Sequence, residues 1–429
     1  MIILGSLILI CLMLVIGVSV PMSFGAVLLF IAVFGGHDVS GFMPTGHWKV
    51  SSLVLLAIPL FILAGAIMER GRIAAPLVSL AELMVGNVRG GLSAAAVVAS
   101  GIFGAISGSA AATLTCIGSI MMPHLRKANY PEGMAAALIV SASPLGLLIP
   151  PSSSQILYAW TTQQSVLKCF LATVIPGIIL IGFLCIVNFV MLRNVKDLKT
   201  ERVGGKFTFE LRTRGFKAMP ALLMPVIILG GIYGGVMTPT EAAGVAVIYA
   251  IPIGFFIYRG LNRKNFFPTL RYAGTTIGVV MMMVLMVLIV SQFLVFENIP
   301  AMAKELIYSV SDNPIIILLM VNLVMILIGM LMDDISGLLL SAPLLLPIVQ
   351  SVGMEPVHFA AVLGVNLGMA NITPPTAPLL YLGARVTDAP VNKMMKPTLL
   401  MIAFAWLPTL VITTFVPQVA LWLPELVFG

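Results

Sequence analysis

An all-α polytopic membrane protein, built as an inverted repeat of two re-entrant helical hairpins and two proline-broken helices, is the fold class this sequence predicts. Three observations predict it. Sixty per cent of the 429 residues are hydrophobic and only 9% are charged, a balance suited to a chain whose solvent is lipid. Long uncharged runs recur along the chain, and three prolines of its first half return in the second at one constant offset.

The uncharged runs cover residues 2–36, 90–125, 133–167, 169–192, 218–240, 272–296, 313–332, 335–354, 356–384 and 397–424. A helix needs about 20 residues to cross a hydrocarbon core of roughly 30 Å. Most runs are that long and several exceed one crossing, so about ten or more spans are expected, some of them broken. Strand alternation is absent, and lipid excludes an open sheet edge, so the spans are helices. Residues 2–20 are apolar, the first charge is Asp38, and no basic leader or small-residue cleavage site is present. A first transmembrane helix is expected in place of a removable signal peptide.

Charged and reactive side chains narrow the function classes. The net charge is +7, but eight of the 23 Lys and Arg residues fall between Arg193 and Lys217, and Arg259, Arg263, Lys264 and Arg271 form a second cluster. Basic loops beside apolar spans follow the positive-inside rule, so both clusters are assigned to the cytoplasm and no nucleic-acid partner is expected. Residues 218–258 then cross outward and back, turning at Thr238-Pro239-Thr240-Glu241, where a Thr cap and an early Glu suit a helix start. Cys11, Cys116, Cys169 and Cys185 are scattered in apolar runs without a CxxC pair and read as space-filling thiols. His37, His47, His124 and His358 are equally dispersed, which argues against a metal enzyme. With no HExxH motif and no convincing serine beside a histidine, catalysis is not expected.

The repeat locates the functional region. Pro123 and Pro347 each stand 27 residues before a double proline, Pro150-Pro151 and Pro374-Pro375, so one shift of 224 residues superposes three prolines and lays Ala136-Ala137 on Ala360-Ala361. Prolines mark helix ends and breaks, so the coincidence implies shared architecture. Upstream, residues 90–125 form an uncharged stretch of 36, interrupted by Gly104, Ser107-Gly108-Ser109 and Thr113. A straight helix of that length would reach roughly 54 Å, far beyond the bilayer core, so the segment is expected to enter, turn and return. Arg89 before it and Arg126-Lys127 after it place its open end in the cytoplasm. The matching segment runs from about Pro314 to Gln350, turns at Asp333-Asp334-Ile335-Ser336-Gly337, is flanked by Asp312 and Glu355, and is expected to open to the opposite face. The stretches Ile73–Val85, with Glu82, and Ile299–Val310, with Lys304 and Glu305, are short and amphipathic and read as in-plane arms.

A helix broken inside lipid frees carbonyl and amide groups that need partners from protein, water, ion or ligand. The first break reads Ser141-Ala142-Ser143-Pro144, Gly146 and Pro150-Pro151-Ser152-Ser153-Ser154; the second reads Asn366, Gly368 and Asn371-Ile372-Thr373-Pro374-Pro375-Thr376. Hydroxyl, amide and carbonyl oxygens are hard donors suited to a small alkali cation, and the amino ends of half-helices attract carboxylates. Each hairpin tip beside its own break is therefore a candidate sodium site: Ser107, Gly108, Ser109, Gly146 and Pro150 in the first half, Asp333, Asp334, Gly337, Thr373 and Thr376 in the second. Candidate substrate-binding residues between the tips are Pro151, Ser152, Ser153, Ser336, Asn371 and Pro375. The competing roles are helix packing for any single hydroxyl, helix breaking for the prolines and helix capping for one of the two aspartates. Ionisable residues at membrane depth are costly and mark function, which makes the aspartates the sharper signal.

The segments GAISGSAAATLTCIGSIMMPHL from Gly104, LLIPPSSSQILYAW from Leu147, GGIYGGVMTPTEAAGVAVIYA from Gly230 and the run from Gly329 to Pro378 resemble the large membrane subunit of TRAP transporters, the tripartite ATP-independent periplasmic systems. Together they cover most of the chain. Ala377, after Thr373-Pro374-Pro375-Thr376, departs from the glycine that many relatives carry. The resemblance implies a multi-pass protein of the bacterial inner membrane that works as an elevator, with sodium as coupling ion and no organic cofactor. It also implies two partners, a small four-helix membrane subunit and a soluble periplasmic binding protein that delivers an organic acid. Sialic acid is the favoured substrate, with C4-dicarboxylates as the other class. On this view residues 1–88 supply scaffold helices and the first arm, and residues 89–168 the first transport repeat. Residues 169–312 supply scaffold helices, the cytoplasmic loop 193–217 and the second arm, 313–390 the second repeat, and 391–429 a C-terminal helix. No GxxxxGKS or GxxxxGKT phosphate loop occurs, in keeping with gradient-driven transport. The alternative is a stand-alone sodium- or proton-coupled carboxylate or ion transporter of the same superfamily.

Overall fold

The computed structural model describes residues 2–34, 41–85, 89–195, 198 and 207–429. His37, Asp38 and, in the cytoplasmic loop, Lys196, Lys199, Arg202 and Lys206 lie outside the described residues. Helix α1 (Ile2–Ile16) doubles back at Gly17 into α2 (Val20–Phe34), followed by α3 (Phe42–Val50), α4 (Ala57–Arg70) and the arm α5 (Ala74–Val85). The first hairpin is α6 (Gly91–Ser107) with α7 (Ala110–Lys127). Its broken helix consists of α8 (Glu132–Ala142), the single turn α9 (Leu145–Leu148) and α10 (Ser153–Thr162). Four helices follow: α11 (Val166–Leu192), α12 (Phe207–Tyr233), the shorter α13 (Pro239–Pro252) and α14 (Arg263–Phe296). The second arm is α15 (Ile299–Val310), the second hairpin α16 (Pro314–Leu331) with α17 (Asp334–Ser351), and its broken helix α18 (Pro356–Ala370) with α19 (Pro378–Thr387). A π-helical turn at 402–406 joins α20 (Val391–Met401) to α21 (Leu407–Phe415), and α22 (Gln418–Phe428) follows, so the C-terminal segment holds a span and a separate short helix where one helix was expected.

Among the described residues, eight helices are long and apolar enough to cross a bilayer, or nine if the pieces flanking the 42° bend between Leu148 and Ser153 count as one span. This is fewer than the ten or more expected. Residues 2–36 divide into two helices of 15 residues, and the run 356–384 contains a broken helix whose pieces are each shorter than a crossing.

The repeat is visible in the helix bounds. Displaced by 224 residues, α7 falls on α17 end to end, α8 starts where α18 starts, and α5, α10 and α11 start within one residue of α15, α19 and α20. The halves also exchange contacts: α10 packs on α17 of the second hairpin, and its counterpart α19 packs on α7 of the first.

The hairpins open at opposite ends of α11, which is roughly 40 Å long at the helical rise. Near its C-terminal end, Asn188 Nδ2 donates to Gly90 O at 3.2 Å and Asn188 Oδ1 accepts from Ser93 Oγ at 2.8 Å, while Arg89 donates to Val195 O. The base of the first hairpin thus lies where the basic loop begins, the end that the positive-inside rule assigns to the cytoplasm. At the other end, Tyr158 Oη donates to Pro356 O at 2.6 Å, joining the start of α18, just past the base of the second hairpin, to α10, which leads into the start of α11. The second arm carries the bounds expected of it and the first starts one residue later, at Ala74, and each is tied to the return helix of its own hairpin, by Glu82 Oε1 to His124 Nδ1 at 2.9 Å and by Tyr308 Oη to Ser351 Oγ at 2.8 Å.

The outward turn is capped as its sequence predicts. Glu241 N donates to Thr238 Oγ1 at 3.3 Å and Thr238 N to Glu241 Oε2 at 2.8 Å, a reciprocal capping box that satisfies two donors at the start of α13. Thr238→Ala is expected to lower stability by about 1 kcal/mol. A thermal melt in detergent checks it, with membrane insertion unchanged.

Candidate functional site

The first tip is built around Gly108, which ends α6 in the left-handed region at φ +61° while its amide donates to Gly104 O at 2.9 Å. Ser109 caps α7 in turn, its side chain accepting from Ala112 N. Three oxygens gather inside this turn. Ser107 Oγ lies 3.1 Å from Thr113 Oγ1 and 3.4 Å from Ser109 O, and Thr113 Oγ1 donates to Ser109 O at 2.8 Å.

Close approach of glycines presses this tip onto the first break. A Cβ on Gly104 would stand 2.7 Å from Gly146 Cα, one on Gly146 would stand 2.8 Å from Ser109 O, and one on Gly108 would stand 2.6 Å from Pro151 O. Ser153 N donates to Gly108 O at 3.4 Å across the same contact, and Ser152 Oγ pairs with Ser154 Oγ at 2.8 Å. Ser107, Gly108, Ser109, Gly146, Pro151, Ser152 and Ser153 are therefore brought together, with Pro150 buried beside them and joined to Pro151 by a cis bond. Thr113 belongs to the same cluster, although its sequence position marks it only as an interruption of an apolar run. On the sodium reading of this cluster, Ser107→Ala removes one of the three oxygens and is expected to raise half-saturating sodium about fivefold for an interaction of about 1 kcal/mol. A sodium titration of uptake measures this, with insertion as the control.

The second tip follows the same plan with different chemistry. Asp333 occupies the position of Ser109 after the 224-residue shift and is the N-cap of α17: its carboxylate accepts from Ile335 N at 3.3 Å and from Ser336 Oγ at 2.6 Å. Asp334 opens the first turn of α17. Gly329 and Gly337 let the hairpin approach α18, since a Cβ on either would stand within 3.0 Å of a side-chain atom of Leu367 or Ala370. Thr376 donates to Met330 O, which ties the second break to its own tip, while Thr373 Oγ1 bonds back to Met369 O at 2.7 Å. Asn371 accepts from Leu379 N through its backbone at 3.1 Å and keeps a buried Oδ1 with no partner among the described residues.

The two breaks differ in exposure. Pro150, Pro151, Ser152 and Ser153 are buried, whereas Pro375 and Thr376 are exposed. Ala377 stands at φ +27°, in the region where glycine is at ease, and this explains the glycine expected there. Ala377→Gly is expected to stabilise the second break by about 1 kcal/mol, read as a rise in melting temperature.

Between the breaks the broken helices cross. The ring of Trp406 and Pro144 both come within 3.1 Å of a Cβ placed on Gly368, and Trp406 Nε1 donates to Ser141 O at 3.1 Å. Asn366 Nδ2 donates to Asn322 Oδ1 at 3.0 Å and Asn322 Nδ2 to Thr414 Oγ1 at 3.1 Å, a buried polar chain linking α18, α16 and α21.

Opposed hairpins, paired broken helices and clustered oxygens at their junctions define an inverted-repeat membrane transporter. The family model described as "Tripartite ATP-independent periplasmic transporter, DctM component" matches residues 7–419, and the chain belongs to that family, as a multi-pass protein of the inner membrane. It is 36% identical over 373 residues to the C4-dicarboxylate TRAP transporter large permease protein DctM of Pseudomonas aeruginosa, covering 86% of each chain. It is 31% identical to the sialic acid TRAP transporter large permease protein SiaM of Vibrio cholerae, covering 89% of this chain and 88% of that one. With the isethionate TRAP transporter permease protein DctMQ of Oleidesulfovibrio alaskensis it shares 33% identity over 96% of its own length, but it spans only 64% of that longer protein. In fold it resembles the YdaH transporter of Alcanivorax borkumensis, with a TM-score of 0.60 at 14% identity, over 90% of this chain and 87% of that one.

Proposed function

We propose that the chain is the permease subunit of a sodium-coupled importer of an organic carboxylate, supplied by a periplasmic binding protein and assisted by a small four-helix membrane subunit. The observation that carries this reading is the first tip, where Ser107 Oγ, Ser109 O and Thr113 Oγ1 lie 2.8 to 3.4 Å apart against the broken helix. Uncharged hard oxygens at such a break suit a sodium ion, and the amino ends of α10 and α17 suit a carboxylate. Asp333 and Asp334 give the second tip a formal charge for a further ion.

The motion assigned to this fold is an elevator. The moving block comprises both hairpins and both broken helices; α11, α20 and α21 pack on the broken helices, which argues for including them in it and for taking α11 out of the scaffold expected over residues 169–312. Helices α1 to α4 and α12 to α14 form the scaffold, and α5 and α15 are the arms between the two. For a hypothetical two sodium ions per monoanion, a tenfold gradient supplies about 1.4 kcal/mol per ion and 100 mV about 2.3 kcal/mol for the one net charge, so roughly 5 kcal/mol supports accumulation of several thousandfold.

Sialic acid and C4-dicarboxylates are the substrate classes to separate. Proteoliposomes holding the permease, its small subunit and its binding protein are expected to take up N-acetylneuraminate or succinate with external sodium and to lose uptake when choline replaces it. Uptake that persists in choline, or without a binding protein, points to the stand-alone transporter instead.

A further inference from the structure

A cavity of about 600 Å³ opens between scaffold and hairpin block, lined by Trp48 and Lys49 of α3, Ser52, Trp160 and Gln163 at the end of α10, and Gln292 of α14. Its side of the membrane follows from two hydrogen bonds. Thr240 Oγ1, at the outward turn between α12 and α13, donates to Leu53 O at 3.0 Å, and Trp160 Nε1 donates to Ser52 Oγ at 3.1 Å. The cavity thus lies on the face opposite the basic loops. Trp160 is also close to the first break, since the seven residues of α10 back to Ser153 span roughly 10 Å.

Lys49 is the one charged residue in the lining, and no carboxylate pairs with it among the described residues. Partial burial lowers its pKa from the ordinary lysine value, because lost hydration is not replaced by a counter-charge. Gln292 Oε1 is buried without a hydrogen-bond partner among the described residues. An ammonium without a counter-charge and an amide that line one cavity favour an anion carrying a second polar group. The volume admits a small organic acid.

We propose that this cavity is an external waiting site for a small organic carboxylate, which pairs with Lys49, meets the amide of Gln292 and lies between the rings of Trp48 and Trp160. The proposal rests on the transport function proposed above and adds to it a first binding step outside the breaks.

Tryptophan fluorescence of the full chain in nanodiscs tests it, with iodide and caesium as charged quenchers and Trp160→Phe identifying the share of the signal that Trp160 contributes. Iodide is expected to quench that share more strongly than caesium, and Lys49→Gln is expected to lower the iodide constant about fivefold while Lys49→Arg retains it. Succinate or N-acetylneuraminate is expected to protect Trp160 from iodide in the wild type and not in Lys49→Gln. Equal iodide quenching of wild type and Lys49→Gln overturns the site. In proteoliposomes Lys49→Gln is expected to raise the half-saturating carboxylate concentration, and an unchanged value overturns the waiting role. Iodide preference in a chain that shows no uptake at all would keep the anion cavity and refute the transport reading instead.

Discussion

Gly108→Ala is expected to abolish sodium-dependent uptake at ordinary sodium concentrations while leaving the chain inserted in the membrane. Two penalties act at this residue. An alanine held at φ +61° costs about 1–2 kcal/mol, and overpacking against a neighbour that cannot yield costs about 1–3 kcal/mol more. The neighbour is Pro151 O, 2.6 Å from the added methyl, and neither side can retreat freely, because Gly108 N is bonded to Gly104 O and Gly108 O accepts from Ser153 N. Relief requires the tip to leave the break, which carries the oxygens of Ser107 and Ser109 away from Gly146 and Ser152. If the sum of about 2–5 kcal/mol falls on ion binding, sodium affinity drops by at least about thirtyfold. Sodium titrations of uptake, with membrane fractionation as control, measure the change. A curve within twofold of the wild type would remove the contact between tip and break from the ion site.

Asp334→Ala is the second large effect, with half-saturating sodium expected to rise about 10- to 100-fold for the loss of an ionic contact of about 1.5–3 kcal/mol. The two aspartates are not equivalent. Asp333 is engaged as a helix cap by Ile335 N and Ser336 Oγ, whereas the Asp334 side chain makes no hydrogen bond to another residue among the described ones. Asp333→Ser keeps a good capping residue and is expected to shift the sodium curve less than Asp334→Ala does. The reverse order would make Asp333 the principal ligand, and no shift in either variant would clear the second tip of any role in coupling.

Much of this architecture is legible in the sequence because proline and uncharged length constrain a chain in lipid more tightly than they do in water. The 224-residue offset fixed by Pro123, Pro150 and Pro151 carries over to the helix bounds, and the turns at Ser107-Gly108-Ser109 and Asp333-Asp334 are where the hairpins reverse. Side-chain roles are less legible. Thr113 reads as an ordinary packing hydroxyl until the hairpin closes and sets it against Ser107 and Ser109. Two adjacent aspartates look alike in a sequence, and only the direction of α17 decides which of them caps it. Lys49 and Trp160 are 111 residues apart and share a cavity through packing between scaffold and hairpin block, which no local pattern encodes.

The interlocking of the two halves bears on how the chain is made. Gln155 Nε2 donates to Ala360 O and Tyr158 Oη to Pro356 O, partners that lie 205 and 198 residues further along. At about 5–20 residues per second, the ribosome needs roughly 10–40 s to supply them. For that interval the newly made first half sits in the bilayer with polar side chains uncovered. A nascent permease therefore passes through a vulnerable stage, open to membrane quality control, that ends only when its second half arrives to close the clasp.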